Sequence, residues 1–154
     1  MTTLEIGQLA PDFTLKDPAG TDITLSSFRG DKSVVVVFYP FTFTGVCEGE
    51  LCALRDDISQ FEAQDVQVLA ISCDSRHSQR IWSEQQGYTF PVLSDFWPHG
   101  AVSRAYGVFN EDLGCAMRAT FVIDKNGKLV DTFATANLGT AREKAAYEAA
   151  LAKL

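Results

Sequence analysis

Cysteine is the residue type with the greatest chemical capacity in this sequence, which has cysteines at positions 47, 52, 73 and 115. A cysteine thiolate is a strong nucleophile that reacts without a metal or an organic cofactor. Only two histidines are present and no Cys-x-x-Cys pair occurs, so a structural zinc site is poorly supported. The pattern favours direct thiol chemistry, and Cys47 is the candidate whose surroundings support it best.

The segments around Cys47 predict that it lies at the edge of a β-sheet. Residues 33–39 (SVVVVFY) and 66–72 (VQVLAIS) are apolar runs typical of strands buried on both faces. Between them, apolar residues three and four apart indicate a helix, and a strand–helix–strand unit of this kind is right-handed. Cys47 falls in the first turn of that helix, just after the carboxyl end of the first buried strand. Reactive groups gather at the carboxyl ends of the strands in such sheets. The apolar stripe consists of Leu51, Leu54, Ile58 and Phe61.

The remaining segments complete a mixed sheet, because hairpin patterns at both ends flank a region in which strands and helices alternate. The hairpins are expected at 12–15 with 22–25 and at 120–124 with 128–133, the latter around an Asn-Gly turn. A short strand is expected at 90–93, and helical segments at 79–86, 101–106 and 140–154. The predicted fold class is α/β, with a mixed central β-sheet flanked by helices and an N-terminal β-hairpin.

Length and charge narrow the function classes. The chain has 154 residues, of which 46% are hydrophobic and 21% charged, and this fits one globular domain with a hydrophobic core. Its net charge of −7 disfavours nucleic acid and anionic membrane surfaces as partners. No basic start followed by an apolar run is visible, and the apolar stretch 34–39 is far too short to span a bilayer. We therefore expect a cytoplasmic protein with reduced thiols rather than a disulfide framework.

Several hydrogen-bond donors are available to Cys47. The backbone N–H groups of Val46 and Cys47 have no partner within the first helical turn, and together with the helix dipole they favour the thiolate. Thr44 offers a hydroxyl, and Arg118, just before the strand at 120–124, offers several N–H groups. Donors of this kind stabilise the negative charge that develops on a group displaced by the sulfur.

The segment PFTFTGVC (40–47) resembles the P-x-x-x-T-x-x-C motif of the peroxiredoxins. The segments APDFTL (10–15), FPVLSD (90–95) and TFVID (120–124) are also similar to that family, so the resemblance covers essentially the whole chain. More narrowly, CEGEL and SDFWPHGAVSRAYGVFNE (94–111) resemble the AhpE-type one-cysteine peroxiredoxins of actinobacteria. The resemblance implies that residues 1–154 form a single thioredoxin-like domain without a metal or organic cofactor, and that this domain forms a homodimer.

The resemblance also implies an activity and a role for each motif residue. The chain is expected to be a thiol-dependent peroxidase that reduces hydrogen peroxide and organic hydroperoxides, with peroxynitrite as a further candidate substrate. Cys47 would be the peroxidatic cysteine and would be oxidised to sulfenic acid. Thr44 and Arg118 would bind and polarise the peroxide. Pro40 would shield the sulfur from water, and Glu50 would orient the loop through an arginine.

Cys52, five residues after Cys47, departs from the one-cysteine pattern. Its spacing resembles that of the bacterioferritin-comigratory (PrxQ) peroxiredoxins, in which the second cysteine resolves the sulfenic acid. Residues five apart in a helix are separated by about 7.5 Å in rise and about 140° around the axis, whereas a disulfide needs Cα atoms within about 7 Å. The bond therefore requires unwinding, which Gly49 eases by about 1 kcal/mol relative to Ala. Packing in the core is the alternative for Cys52, and it is the role expected of Cys73 and Cys115.

Three function classes stay open at this point. As a peroxidase, the oxidised protein would be recycled through Cys52 or by an external thiol, with thioredoxin or a mycoredoxin–mycothiol system as the reductant. Alternatively, the domain is a redox-sensing interaction module that relays its oxidation to a partner, and sustained turnover with a reductant separates these two classes. A thiol–disulfide oxidoreductase is the third class, and the absent Cys-x-x-Cys pair weakens it.

Substitution of the expected peroxidatic residue tests the central hypothesis. Cys47→Ser should abolish the rapid change in tryptophan fluorescence that follows stopped-flow mixing with hydrogen peroxide, because serine does not form a nucleophilic thiolate. A Cys47→Ser variant that reacts as fast as the wild type would show that another residue is oxidised.

Overall fold

The computed structural model describes residues 2–154. The strands in this part of the chain are β1 (Thr14–Lys16), β2 (Asp22–Thr24), β3 (Ser33–Phe38), β4 (Val66–Ser72), β5 (Val92–Ser94), β6 (Phe109–Asn110), β7 (Cys115–Ala116), β8 (Ala119–Ile123) and β9 (Leu129–Ala134). The α-helices are α1 (Gly45–Asp56), α2 (Ile58–Glu62), α3 (Arg76–Gln86), α4 (Ala101–Ala105) and α5 (Lys144–Leu151). No helix within residues 2–154 combines the length and the apolar character that a membrane crossing requires.

A seven-stranded sheet with the order β2-β1-β5-β4-β3-β8-β9 forms the centre of the fold. Strands β3, β4 and β5 are parallel, whereas β8 runs antiparallel to β3, and β9 runs antiparallel to β8. Strands β1 and β2 form the N-terminal hairpin, which joins the sheet through β5. The predicted α/β fold with a mixed central sheet and an N-terminal hairpin is confirmed.

Alternate residues of β3 enter hydrophobic clusters on the two faces of the sheet. Val36 lies in the cluster that contains Tyr106, whereas Val35 lies in the cluster that contains Leu51 of α1 and Trp82 of α3. All residues of β3 are buried, which is why its sequence is continuously apolar rather than alternating. Each such valine contributes roughly 1.5–3 kcal/mol of hydrophobic free energy, so β3 is a rigid base for the loop that follows it.

The carboxyl ends of β3 and β4 bring the loops after them to one edge of the sheet. The two strands are paired in parallel up to Phe38 with Ile71. The segments that follow them therefore leave the sheet on the same side. Strand β8 begins at this edge as well, because Ala119 pairs with Phe38. Arg118, directly before β8, therefore lies on the same side as the loop that leads into α1.

The predicted apolar stripe belongs to two helices rather than one. Asp57 interrupts the helix with φ −97° and ψ 5° between α1 and α2. Aspartate is a poor helix former, and Asp57 makes an ion pair of 3.0 Å with Lys144 of α5. Leu51 of α1 and Phe61 of α2 are both buried, so the stripe still faces the core although the helix is broken.

Other boundaries also differ from the prediction. Helix α3 begins three residues early because Ser75 caps it by accepting a hydrogen bond from the N–H of Ser78. Helix α5 begins at Lys144 rather than at residue 140, and the segment 135–143 is a loop. The β6–β7 hairpin was not predicted, because its strands have only two residues each and are too short to show an alternating pattern.

Candidate active site

Cys47 is the third residue of α1 and is fully buried. Thr44 precedes the helix with extended backbone angles of φ −106° and ψ 148°. The first backbone hydrogen bond of the helix runs from the N–H of Glu48 to the carbonyl oxygen of Thr44 (2.9 Å). The N–H groups of Val46 and Cys47 come before it and have no intrahelical acceptor. Pro40, at the start of the preceding loop, is also buried, so the thiol lies beneath the loop at the positive end of the helix dipole.

Hydrogen bonds hold the loop before Cys47 in place. The hydroxyl of Thr44 donates to the carbonyl oxygen of Phe41 (2.7 Å). The backbone N–H of Thr42 donates to a carboxylate oxygen of Asp74 (2.8 Å), a residue just after β4. The hydroxyl of Thr42 lies 2.9 Å from the phenolic oxygen of Tyr39. The loop is thus fixed to the ends of both central strands.

Arg118 is a buried cation at the same edge of the sheet, with 3% of its surface exposed. Its Nη1 donates to Oε1 of Glu50 (2.6 Å), and its Nε donates to the carbonyl oxygen of Leu138 (2.6 Å). Glu50 lies on α1, one turn after Cys47. The predicted contact of Glu50 with an arginine is present, and it ties the start of β8 to the helix that carries the thiol.

A second arginine, Arg142, completes this cluster, although no motif in the sequence predicts its role. Its backbone N–H and Nε donate to Oε2 of Glu50 (2.7 and 2.9 Å), and its Nη2 donates to Oε1 (2.9 Å). Its Nη1 donates to the carbonyl oxygens of Phe38 (2.7 Å) and Ala119 (2.9 Å). Arg142 lies in a segment that the sequence assigns to an alanine-rich helix, where no local motif distinguishes it from a surface arginine.

The cluster of Glu50, Arg118 and Arg142 has an excess of positive charge. Burial alone would raise the pKa of Glu50, but the hydrogen bonds and charge of Arg142, with the charge of Arg118, lower the pKa below its ordinary value of 4.5. Glu50 is therefore ionised at neutral pH. Burial lowers the pKa of Arg142, but Tyr147, Glu50 and Cys47 outweigh it and raise this pKa overall. Two guanidinium groups against one carboxylate leave one uncompensated positive charge at this edge of the sheet.

The histidines belong to other parts of the surface. His77 is exposed in the first turn of α3. The ring nitrogens of His99 lie 3.1 and 2.7 Å from the carbonyl oxygens of Phe96 and Gly114. Within residues 2–154, no three His, Cys, Asp or Glu side chains are arranged to hold a metal ion. The groups assembled at the site are thus a thiol, a hydroxyl, a carboxylate and two guanidinium groups.

Comparison with known proteins identifies the family to which this arrangement belongs. The family model described as AhpC/TSA matches residues 6–132, which is most of the chain. The chain belongs to this family of peroxiredoxins. It is 55% identical over 124 residues to alkyl hydroperoxide reductase E of Mycobacterium tuberculosis, a match that covers 80% of this chain and 81% of that protein. The expected likeness to AhpE-type peroxiredoxins is therefore confirmed.

Solved peroxiredoxin structures superpose on nearly the whole chain. The crystal structure of peroxidoxin BcpB from Mycobacterium tuberculosis matches with a TM-score of 0.85 and 32% identity, over 97% of this chain and 96% of that chain. The structure of Mycobacterium tuberculosis AhpC matches with a TM-score of 0.83 and 32% identity, over 97% and 92% of the two chains. The thioredoxin-like fold is confirmed, and the peroxiredoxin is a thiol-dependent peroxidase.

Cys52 of this peroxiredoxin lies on α1 but points away from the arginine cluster. Its sulfur is 3.5 Å from Oε1 of Gln86 and 3.5 Å from the phenolic oxygen of Tyr88, and the side chain is partly exposed. Helix α1 is continuous from residue 45 to residue 56, and Cys47 and Cys52 are both free thiols. The two sulfurs can meet only if the first turns of α1 unwind.

The other two thiols, those of Cys73 and Cys115, are also buried. Burial, followed by the charge of Asp95, raises the pKa of Cys73 to about 12. Burial, followed by the charge of Asp74, raises the pKa of Cys115 to about 11. Both side chains therefore stay protonated at neutral pH, and a protonated thiol is a poor nucleophile. This agrees with the packing role expected for them.

The Glu50 carboxylate should stabilise the fold in a pH-dependent way. Because its pKa is lower in the folded than in the unfolded state, its contribution is fully present above about pH 4.5 and is lost as the pH falls below that value. Glu50→Gln should lower the free energy of unfolding at pH 7 by about 3–5 kcal/mol, because it leaves two buried guanidinium groups without their anion. Urea denaturation at pH 7 and below pH 4 measures both quantities.

The exposed Glu62, changed to Gln, is the matched control and should alter the free energy of unfolding by less than about 0.5 kcal/mol. The difference between Glu50→Gln and the wild type should shrink at the lower pH. A difference that is small at pH 7, or that grows as the pH falls, contradicts this account of Glu50.

Proposed function

We propose that Cys47 is the peroxidatic residue of this peroxiredoxin. Its thiolate attacks one oxygen of hydrogen peroxide or an organic hydroperoxide, the S–O bond forms, and the O–O bond breaks. The sulfur is oxidised to sulfenic acid, and the departing oxygen leaves with a proton as water or an alcohol. Peroxynitrite is a further substrate of the same chemistry. The observation that carries the proposal is the position of Cys47, in the first turn of α1 at the sheet edge that holds Arg118 and Arg142.

Thr44 and Arg118 are the proposed peroxide-binding groups. The proton of the Thr44 hydroxyl is directed to the carbonyl oxygen of Phe41, so its lone pairs are available to accept the O–H of the peroxide. The Nε and Nη1 groups of Arg118 are bonded to Leu138 and Glu50. Its Nη2 has no acceptor among residues 2–154 and is available to donate to the peroxide oxygens.

Stabilisation of the departing oxygen supplies most of the acceleration. Complete ionisation of an ordinary thiol increases the thiolate concentration only about tenfold at neutral pH, which corresponds to ~1.4 kcal/mol of the barrier. The guanidinium group of Arg118 and the N–H groups of Val46 and Cys47 supply fixed donors for the charge that develops as the O–O bond breaks. Pro40 covers the sulfur from the loop side, and the exclusion of water strengthens these interactions.

We propose Cys52 as the residue that resolves the sulfenic acid. Support comes from its partial exposure on α1 and from Gly49, an exposed glycine between the two cysteines that lowers the cost of unwinding the helix. The resulting disulfide would be reduced by thioredoxin or by a mycoredoxin–mycothiol system in the cytoplasm. Direct attack by an external thiol is the second candidate route. The unbroken α1 favours that route, because it keeps Cys52 away from Cys47.

A homodimer is the proposed assembly. Aromatic side chains are exposed in the loops after β3 and β5, which leave the sheet at the same edge. They are Phe41, Phe43, Phe96 and Trp97, with 37%, 54%, 51% and 82% of their surfaces exposed. Exposed aromatic residues on one side of a protein are typical of protein–protein interfaces.

Mass spectrometry after one equivalent of hydrogen peroxide tests the role of Cys52. The wild type should yield a peptide that links residues 47 and 52, because the two cysteines condense with loss of water. Cys52→Ser should instead retain sulfenic acid at Cys47, which a dimedone-type reagent labels. Cys73→Ser is the matched control and should form the linked peptide as the wild type does. Sulfenic acid that persists equally in the wild type and in Cys52→Ser would show that an external thiol reduces Cys47 directly.

Analytical ultracentrifugation tests the assembly. The wild type should sediment as a dimer of 16.9 kDa chains, and Trp97→Glu should shift it towards the monomer, because a buried unpaired charge is costly at an interface. Ile6→Glu, at another exposed apolar residue outside the aromatic loops, should leave the dimer intact. A wild type that is monomeric at micromolar concentration contradicts the proposal.

A further inference from the structure

Gln86, at the end of helix α3, contacts one face of α1 through both its side chain and its backbone. The Nε2 of Gln86 donates to Oε1 of Glu48 (2.8 Å), and its Oε1 accepts from the thiol of Cys52 (3.5 Å). Glu48 and Cys52 are four residues apart and therefore share a face of α1. Arg55, one turn further along that face, donates from Nη1 to the backbone carbonyl oxygen of Gln86 (2.6 Å). One residue of α3 thus engages three successive turns of α1.

Chemistry determines the orientation of the Gln86 amide. A carboxylate only accepts hydrogen bonds, so the amide nitrogen must face Glu48 and the amide oxygen must face Cys52. The contact with Cys52 consequently uses the thiol proton. A Cys52 thiolate, the form that attacks sulfur, cannot make this bond. The hydrogen bond therefore has to break before Cys52 can attack the sulfenic sulfur.

Neighbouring residues keep Gln86 in this position. Gln86 is the last residue of α3, and Gly87 ends the helix in the left-handed conformation with φ 68°. Trp82, one turn earlier and fully buried, donates from Nε1 to the same oxygen of Glu48 (3.4 Å). The phenolic oxygen of Tyr88 lies 3.5 Å from the sulfur of Cys52. Gln86 is thus held by the end of its own helix and does not need to move when α1 rearranges.

The segment of α1 that must unwind lies between the two contacts of Gln86. Joining Cys47 to Cys52 displaces residues 48–51 from helical geometry, so Glu48 has to leave Gln86 and Trp82. Cys52 has to leave the amide oxygen of Gln86. All three hydrogen bonds break before the sulfurs meet, although none of them takes part in the reaction of Cys47 with peroxide.

We propose that Gln86 is a positioning residue that holds α1 wound and keeps Cys52 away from Cys47, and that the breaking of its hydrogen bonds to Glu48 and Cys52 limits the rate at which the Cys47 sulfenic acid is resolved. This inference rests on the proposed resolving role of Cys52. In the step concerned, the Cys52 thiolate attacks the sulfenic sulfur, the S–S bond forms and the S–O bond breaks. Hydroxide leaves and takes up the proton that Cys52 has lost, so one water is released and no further oxidant is consumed.

The wound helix also determines how long the sulfenic acid persists. While α1 stays wound, the sulfenic sulfur remains beside Thr44 and Arg118, where a second peroxide can oxidise it to sulfinic acid. Resolution and this second oxidation compete for the same intermediate. Faster breaking of the Gln86 hydrogen bonds therefore leads to less sulfinic acid at high peroxide concentration.

Rapid-mixing kinetics of Gln86→Leu test the inference, with Gln85→Leu on the exposed side of α3 as the matched control. The first step, which depends on peroxide concentration, should stay within about twofold of the wild type in both variants. The second step, which does not depend on peroxide, should become about tenfold faster in Gln86→Leu only, the usual effect of losing one hydrogen bond to a charged acceptor. Sulfinic acid formed at high peroxide, measured by mass spectrometry, should fall in the same variant.

Glu48→Ala removes the acceptor of the Gln86 hydrogen bond and provides the same test if Gln86→Leu does not fold. It should also accelerate the second step. Because both substitutions break the same contact, the acceleration in the double variant should be smaller than the product of the two single accelerations. A second step that is unchanged or slower in both single variants overturns the role of Gln86, while the linked peptide in the wild type still supports Cys52. Absence of the 47–52 link in the wild type overturns the resolving role and this inference together.

Discussion

The Glu50 carboxylate is the interaction on which the geometry of the active site depends. It is buried with Arg118 and Arg142, and ion pairs in such a setting persist only when every partner is present and well hydrogen-bonded. Through Arg142 the same carboxylate reaches the carbonyl oxygens at the end of β3 and the start of β8. Helix α1, two strands of the sheet and the loop before α5 are therefore held by one anion. The direction of the Arg118 guanidinium follows from this arrangement.

Under the proposed roles of Cys47 and Cys52, the site has two requirements that oppose each other. Reaction with peroxide needs α1 wound, because the unpaired N–H groups of its first turn and the contact of Glu50 with Arg118 exist only in the helix. Resolution through Cys52 needs the same turns unwound. Glu50 lies inside the segment that would move, so its buried ion pairs oppose unwinding on one face of α1. Gln86 opposes it on another face, and Gly49 lowers the cost of unwinding between them.

Much of the fold could be predicted because its signals are local. Strand β4 matches its predicted bounds and β3 differs by one residue, since strands buried on both faces are continuously apolar. The interruption at Asp57 could not be predicted, because the stripe of apolar residues continues across it and an ion pair with Lys144 of α5 accompanies the break. The loop at 135–143 also escaped prediction. Its alanine-rich neighbourhood favours a helix, but Arg142 is held by Glu50, which lies 92 residues away in the sequence.

The sequence by itself determined the fold class and singled out Cys47 as the candidate for the reactive thiol. The motif from Pro40 to Cys47 lies within one strand end, one loop and one helical turn, where local chemistry suffices. Only the tertiary structure decided that Arg142 belongs to the cluster of Glu50, and that Cys52 faces the end of α3 rather than Cys47. These two facts depend on contacts between elements far apart along the chain. Helical periodicity specifies which residues share a face, but packing decides what that face meets.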